Sequence, residues 1–184
     1  MNLVELFLKQ VEAQPNAAAI ITAKGRIVTY AQLAKSSAAR ALVYQQAGIG
    51  AGDVVLIARG VSVELYETLL AIFRLGAVAM FPEPAAGLKG LRLAVESVRP
   101  KAVATAGLGH ILRVLFAELW RLKSLPDPTG SEVGREILAH LPGDAPALIT
   151  FTSGSTGRPK GIVRTSDFLV LLHTLLEKLR RTKP

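Results

Sequence analysis

The sequence predicts an α/β fold in which strands and helices alternate along the chain. Apolar runs of about four residues, typical of buried strands, alternate with longer segments in which apolar residues recur every three or four positions. Half of the 184 residues are hydrophobic, which is enough for one sizeable core. Cysteine is absent, so no disulfide, thiolate nucleophile or cysteine metal site is possible.

The first eighty residues are predicted to hold a helix, a hairpin and then two helix–strand pairs. Leu3, Leu6, Phe7 and Val11 recur at helical spacing, and Pro15 ends that helix. Two short strands then flank a Lys-Gly turn. The predicted ranges are strands 18–21 and 27–28, helix 31–46, strand 54–57, helix 61–75 and strand 78–81.

The second half is predicted to continue the alternation with three further helices and several strands. A connection rich in proline and glycine, residues 124–144, is expected to lie on the surface and to hold at most a short helix at Glu132 to His140. The remaining predicted elements are helix 91–98, strand 102–105, helix 111–122 with Trp120, and a final helix 168–179. No internal repeat is found, so one folding region is expected.

The most specific motif follows the apolar residues Leu148 to Phe151. Thr152 to Gly161 contains four hydroxyl side chains, three glycines and one lysine, and these groups together suit a phosphate, because amide N–H and hydroxyl groups donate to its oxygens and lysine neutralises its charge. The spacing differs from a Walker loop, since Pro159 stands where the second glycine would be. Ile162 and Val163 are β-branched and predict a second strand, hence a strand–loop–strand arrangement.

Thr152 to Gly161 resembles the phosphate motif of the adenylate-forming superfamily, Thr/Ser-Ser-Gly-Ser/Thr-Thr-Gly-x-Pro-Lys-Gly, at every position. Two weaker segments agree in the expected order: Val28 to Leu33 is similar to the family's Thr-Tyr-x-x-Leu segment, and Leu70 to Pro84 to its helix-Gly-Ala-strand-Pro segment. The resemblance covers nearly all of Leu3 to Leu176. It implies that residues 1–184 are a partial N-terminal AMP-binding domain, with the alternating strands and helices of an incomplete large domain and a phosphate loop at 152–161.

The resemblance also implies an activity. ATP and Mg²⁺ would bind with a carboxylic acid, expected to be a fatty acid, and form an acyl-adenylate; coenzyme A or an acyl-carrier thiol would then accept the acyl group. No catalytic residue is assigned. The residues that would bind the nucleotide are Thr152, Ser153, Gly154, Ser155, Thr156, Gly157 and Lys160.

The family's later segments have no counterpart in this sequence. They include the motif that flanks adenine, the aspartate for the ribose and a C-terminal domain with a catalytic lysine. The chain alone is therefore expected to lack activity, as a portion of an acyl-CoA synthetase or acyl-AMP ligase. The alternative is a non-catalytic, stand-alone remnant that binds a nucleotide or a partner. The acid, the acceptor and the oligomeric state are not specified by the sequence.

Charge and hydropathy argue against a nucleic-acid-binding protein and against a membrane-spanning protein. The net charge is +8, but lysines and arginines are scattered and aromatic residues are only 5%, so nucleic-acid binding is not expected. No apolar run reaches the length of a membrane span, and a cytoplasmic location is expected. The three histidines, His110, His140 and His173, have no metal spacing. Asp53 is expected in a turn, and Arg164 either reaches phosphate or lies on a strand edge.

The final helix is apolar on nearly every side. Leu169, Leu172, Leu176 and Leu179 share one face, while Phe168, Val170, Leu171 and Leu175 lie on the others. Such a helix requires cover on several sides. We therefore expect either further chain or a partner at this helix, against the alternative that it lies over its own sheet.

Overall fold

A computed structural model describes residues 3–106, 121–129, 137–152 and 160–181. Within these ranges the chain forms five α-helices and eight strands. In chain order they are α1 (Leu3–Ala13), β1 (Ala18–Ile21), β2 (Ile27–Thr29), α2 (Tyr30–Gln46), β3 (Val54–Ala58), α3 (Val63–Arg74), β4 (Val78–Phe81), α4 (Gly87–Val98), β5 (Ala102–Thr105), β6 (Lys123–Ser124), β7 (Pro146–Thr152), β8 (Lys160–Thr165) and α5 (Ser166–Arg181).

Six strands form one sheet in the order β6-β5-β3-β4-β7-β8, and β1 pairs with β2 in a separate hairpin. The first five strands of this order are mutually parallel, whereas β8 runs antiparallel to β7. The central strands β3, β4 and β5 are the apolar runs of the sequence. Parallel strands need such runs because helices cover both faces of the sheet.

Helices pack on both faces of this sheet. Val55 and Ile57 of β3 belong to the core cluster that contains residues of α1, α2 and α3, while Leu56 between them belongs to the cluster that contains Ala94 and Val95 of α4. This alternation follows from the two-residue period of a strand. The architecture confirms the predicted α/β fold.

The start of α2 shows how a short sequence pattern sets a boundary. The Thr29 hydroxyl accepts a hydrogen bond from the Gln32 N–H at 3.2 Å, and the Gln32 side chain accepts one from the Thr29 N–H at 2.9 Å. This reciprocal pair is a capping box, which satisfies two backbone donors at the helix N-terminus. Leu33 then turns into the core, where it is 5% exposed.

Gly76 fixes the turn between α3 and β4. Its φ of 67° favours glycine, and a Cβ at this position would lie 2.8 Å from Leu141 Cδ1. The Ala139 N–H donates to the Arg74 carbonyl at 2.7 Å in the same place. The end of the 124–144 connection therefore packs directly against this turn.

Most element boundaries agree with the sequence-based prediction to within a few residues. The short strand β6 was not predicted, because its two residues are partly exposed and carry no apolar period. Residues 137–140 are not helical, which corrects the end of the short helix predicted at Glu132 to His140; they are held by the contacts at Gly76 instead. Residues 132–136 of that prediction, and 111–120 of the helix that carries Trp120, lie outside the described residues.

Helix α5 covers part of the sheet and leaves other apolar side chains in solvent. Leu169 packs against the core cluster, whereas Leu171 is 67% and Leu175 52% exposed. Leu176 and Leu179 lie outside the side chains that the structure describes. Part of the helix thus lacks cover within the described residues, and the partner expected there stays a prediction.

Candidate phosphate-binding site

The two ends of the predicted phosphate loop meet in the β7–β8 hairpin. Thr152, the last residue of β7, is directly opposite Lys160, the first residue of β8. Directly opposed residues of antiparallel strands have Cα atoms about 5 Å apart, so the loop leaves and re-enters the sheet at one point. This confirms the predicted strand–loop–strand arrangement.

The middle of the loop lies outside the described residues. It comprises residues 153–159, and of the seven residues predicted to bind the nucleotide only Thr152 and Lys160 are described. The roles of Ser153, Gly154, Ser155, Thr156 and Gly157 stay predictions. Both described residues are exposed, and no carboxylate within the described ranges pairs with the Lys160 ammonium.

The loop follows the carboxyl end of β7. Because β7 is parallel to β4, and β4 to β3, Thr152 and its partner Lys160 lie at the same sheet edge as the carboxyl ends of these strands. Ligands of open α/β sheets bind at this edge, where loops rather than side chains of the core meet the solvent. The position of Thr152 and Lys160 therefore suits a bound anion.

Gly161 has a packing role in the motif. It lies opposite Phe151 on β7, and a Cβ added to it would lie 3.3 Å from Phe151 Cε1. Phe151 itself is only 5% exposed, so its ring has little room to move. The glycine after Lys160 thus lets the ring lie across the hairpin and holds β8 close to β7.

Arg164 lies away from the loop. It is four residues beyond Lys160 on β8, about 13 Å along an antiparallel strand. Its guanidinium carbon lies 5.0 Å from the centre of the Phe168 ring, a cation–π contact. Of the two alternatives left open by the sequence, the structure favours the one in which Arg164 lies on the strand rather than at phosphate.

A second group of polar residues, which the sequence did not predict, lies beyond the carboxyl ends of β3 and β6. Arg40 of α2 and Arg59 after β3 both donate to Asp127 Oδ1. Arg40 also donates to Glu67 Oε2 at 2.9 Å. The two arginine side chains are only 4% and 2% exposed, whereas that of Asp127 is 54% exposed. We call these four residues the buried ion network.

The electrostatics of Asp127 follow from its two arginine neighbours. Burial acts to raise the pKa of its carboxyl group, but the hydrogen bond from Arg40 and the charge of Arg59 outweigh burial and lower the pKa below its usual value. One sequence signal could have revealed part of the network. Arg40 falls on the same helix face as Leu33, Ser37 and Tyr44, which are buried in α2.

The other candidate polar residues are structural or isolated. Asp53 accepts hydrogen bonds from the Gly50 N–H at 2.8 Å and from Lys101 Nζ at 2.6 Å, so it holds a turn as predicted. His140 and His173 are exposed, and His110 lies outside the described residues. In the described ranges no three histidine, aspartate or glutamate side chains cluster as metal ligands, and no helix has the length and apolar content to cross a membrane.

The comparisons with known proteins agree with this geometry. Residues 7–182 match the profile of the family described as AMP-binding enzyme. Phenyloxazoline synthase MbtB of Mycolicibacterium paratuberculosis is 32% identical over 176 residues, which is 90% of this chain and 14% of that protein. The chain therefore spans a small part of this relative.

Several solved bacterial structures have the same fold as this chain. The Klebsiella oxytoca NpsA N-terminal subdomain in complex with 3-hydroxyanthranilyl-AMSN has a TM-score of 0.73 and 25% identity, covering 90% of this chain and 40% of that one. NpsA-ThdA, an artificially fused adenylation–PCP di-domain, is similar with a TM-score of 0.73, 25% identity, and coverage of 90% and 32%. A Mycobacterium tuberculosis fatty acyl CoA synthetase shares the fold alone, with 21% identity and a TM-score of 0.73. The match covers 90% of this chain and 34% of that one.

Proposed function

Because the chain belongs to the family of AMP-binding enzymes, we propose that residues 1–184 are the N-terminal part of an adenylate-forming ligase and supply its phosphate-binding loop. One observation carries this proposal. The β7–β8 hairpin pairs Thr152 with Lys160 at the carboxyl edge of the sheet, which brings the two ends of the family's phosphate motif together.

In the proposed reaction a carboxylate oxygen attacks the α-phosphorus of ATP. The bond from that phosphorus to the oxygen of pyrophosphate breaks, and an acyl-adenylate and pyrophosphate result. The ammonium of Lys160 would neutralise charge on the β- and γ-phosphates, which makes pyrophosphate a better leaving group. Hydroxyl groups of Thr152, Ser153, Ser155 and Thr156 and the backbone of Gly154 and Gly157 would donate to the same oxygens.

Mg²⁺ is proposed to enter with the nucleotide. Among the described residues no carboxylate group pairs with Lys160 or clusters near it as a ligand set. Phosphate oxygens and water supply most ligands of Mg²⁺ in nucleotide sites. The ion would balance phosphate charge, and the loop would fix the position of the phosphates.

An aryl or amino acid is a better-supported substrate than a fatty acid. NpsA is solved with a 3-hydroxyanthranilyl ligand, and MbtB is named as a phenyloxazoline synthase, whereas the fatty acyl CoA synthetase shares the fold alone. The earlier expectation of a fatty acid is therefore not part of this proposal. The fused NpsA-ThdA protein supports a carrier-protein thiol as the acceptor, with coenzyme A as the alternative.

The direct test is Lys160→Ala in the 184-residue chain. Loss of a charge-assisted hydrogen bond should weaken ATP binding by about tenfold or more, since such bonds contribute roughly 1.5–3 kcal/mol, while adenosine binding stays unchanged. Isothermal titration calorimetry measures both affinities. Lys35→Ala, at an exposed position of α2, is the matched control and should change neither.

Equal losses for ATP and adenosine would exclude the assignment of the loop to the phosphates. A pyrophosphate-exchange assay with anthranilate and with the common amino acids then tests whether the chain catalyses adenylation or only binds the nucleotide. Exchange would show that it completes adenylation by itself, whereas Lys160-dependent ATP binding without exchange would leave it a nucleotide-binding part or remnant.

A further inference from the structure

A cleft at the amino ends of β5 and β6 lies at the opposite edge of the sheet from Thr152 and Lys160. Its volume is about 540 Å³, and it separates the second half of α4 from the residues that precede β6. The apolar lining consists of Val95, Pro100 and Leu122, all of which are buried. Clefts of this size hold small molecules rather than flat protein surfaces.

Among the described residues, three guanidinium groups and one carboxylate line the cleft: Arg92, Arg99, Arg121 and Glu96. We call it the arginine cleft. Arg92 Nε lies 3.0 Å from Glu96 Oε1. Neither Arg99 nor Arg121 has an ion-pair partner in the part of the chain that the structure describes. The four lining charges therefore sum to +2.

The lysines next to the cleft, in contrast, are paired with acceptors of the chain. Lys101 Nζ lies 2.6 Å from Asp53 Oδ2, and Lys123 Nζ donates to the Ala47 carbonyl at 2.6 Å. Each of these cations is held by an acceptor of the chain itself. Two exposed arginines thus remain as donors beside an apolar surface, a combination that suits an anion with an apolar body.

The backbone of Arg99 is a separate observation that points to the same cleft. Arg99 ends α4 in the left-handed region, with φ of 53°, and its N–H donates to the Val95 carbonyl at 2.8 Å. Glycine is the residue usually found at such a helix end, because a Cβ is strained there. Among the described residues Arg99 is the only non-glycine with positive φ. The position carries an arginine despite the backbone strain, as expected where the side chain has a use.

We propose that the arginine cleft binds a small organic phosphate monoester. The phosphate would accept hydrogen bonds from Arg99 and Arg121, whose planar guanidinium groups match its oxygens, and the organic group would lie on Val95, Pro100 and Leu122. This site is independent of the function proposed for the phosphate loop.

The test uses the full chain with phenyl phosphate as the probe, and Lys160→Ala as the background so that the loop does not compete. Arginine Nε–Hε resonances of the ¹⁵N-labelled protein should shift at Arg99 and Arg121 during titration. Arg99→Gly should weaken binding at least tenfold without loss of the fold, because glycine suits the backbone there. Arg121→Gln should have a similar effect, and Lys35→Gln none.

Three outcomes would overturn the proposal. The first is unchanged affinity in both arginine variants. The second is equal affinity for inorganic phosphate and phenyl phosphate, since the apolar lining would then contribute nothing. The third is binding of a polyglutamate peptide but not of phenyl phosphate, which would assign the cleft to an acidic protein partner. None of these outcomes bears on ATP binding at Lys160.

Discussion

The buried ion network and the arginine cleft use the same side chain under opposite conditions. In the network, Arg40 and Arg59 are almost fully buried and share the Asp127 carboxylate, and Glu67 accepts a further bond from Arg40. In the cleft, Arg99 and Arg121 are exposed and have no described ion-pair partner. Two positive and two negative charges balance in the network, whereas the described residues that line the cleft carry a positive excess.

This difference shows how burial affects the ability of an arginine to bind a ligand. A buried guanidinium requires acceptors within the fold, because desolvation of an unpaired charge is strongly unfavourable. In the network, the carboxylates of Asp127 and Glu67 supply those acceptors to Arg40 and Arg59. The exposed arginines carry no such constraint, because water can solvate their charge.

The largest effect is expected from Asp127→Ala, which would leave Arg59 buried without its carboxylate. Removal of one partner of a buried ion pair costs about 3–5 kcal/mol, and since Asp127 itself is half exposed we expect roughly 2–3 kcal/mol. Urea denaturation of the variant measures the free energy of unfolding. Glu12→Ala, at an exposed position of α1, is the control and should change it by less than about 0.5 kcal/mol. An equal change in both variants would mean that the network does not stabilise the fold.

The pH dependence of stability in the natural chain and in Asp127→Asn gives a smaller but more specific effect. Because the pKa of Asp127 is lowered in the folded state, its contribution is complete above the pKa of the unfolded chain, about 4, and is lost as the pH falls through the folded value. The natural chain should therefore be more stable than Asp127→Asn by about 1–2 kcal/mol from pH 5 to 7. This difference in the free energy of unfolding should shrink below about pH 4. A difference that stays constant down to pH 3 would contradict preferential stabilisation of the carboxylate.

The smallest effect has the opposite sign and concerns Arg99→Gly. Relief of the left-handed strain outweighs the added flexibility of glycine in the unfolded chain, so we expect a gain of about 0.5 kcal/mol. Ser97→Gly, two residues earlier in α4, should instead lower stability by about 0.5 kcal/mol, because glycine is unfavourable inside a helix. Thermal unfolding of the two variants measures the contrast. A loss of stability in both would show that Arg99 contributes to the fold.

The order of the elements other than β6, and the two strands on either side of the predicted phosphate loop, followed from the sequence by itself. Runs such as Val54 to Ile57 and Ala102 to Thr105 predict buried strands, because a parallel strand covered on both faces needs apolar residues at every position. The hydroxyl, glycine and lysine pattern of residues 152–161 likewise predicts a phosphate loop between two strands, since both strands and turn have local chemical signatures. Residues 153–159 of that loop lie outside the described structure, and their contacts stay predictions.

Only the tertiary structure decided which distant residues meet. Arg40 and Asp127 are 87 positions apart, and nothing in the sequence near either one indicates a shared ion network. Arg99 and Arg121 line one cleft because β5 and β6 are adjacent in the sheet, and no local pattern specifies that adjacency. Local propensity and hydrophobic period report the neighbours of a residue along the chain, whereas strand order and long-range packing determine its neighbours in space.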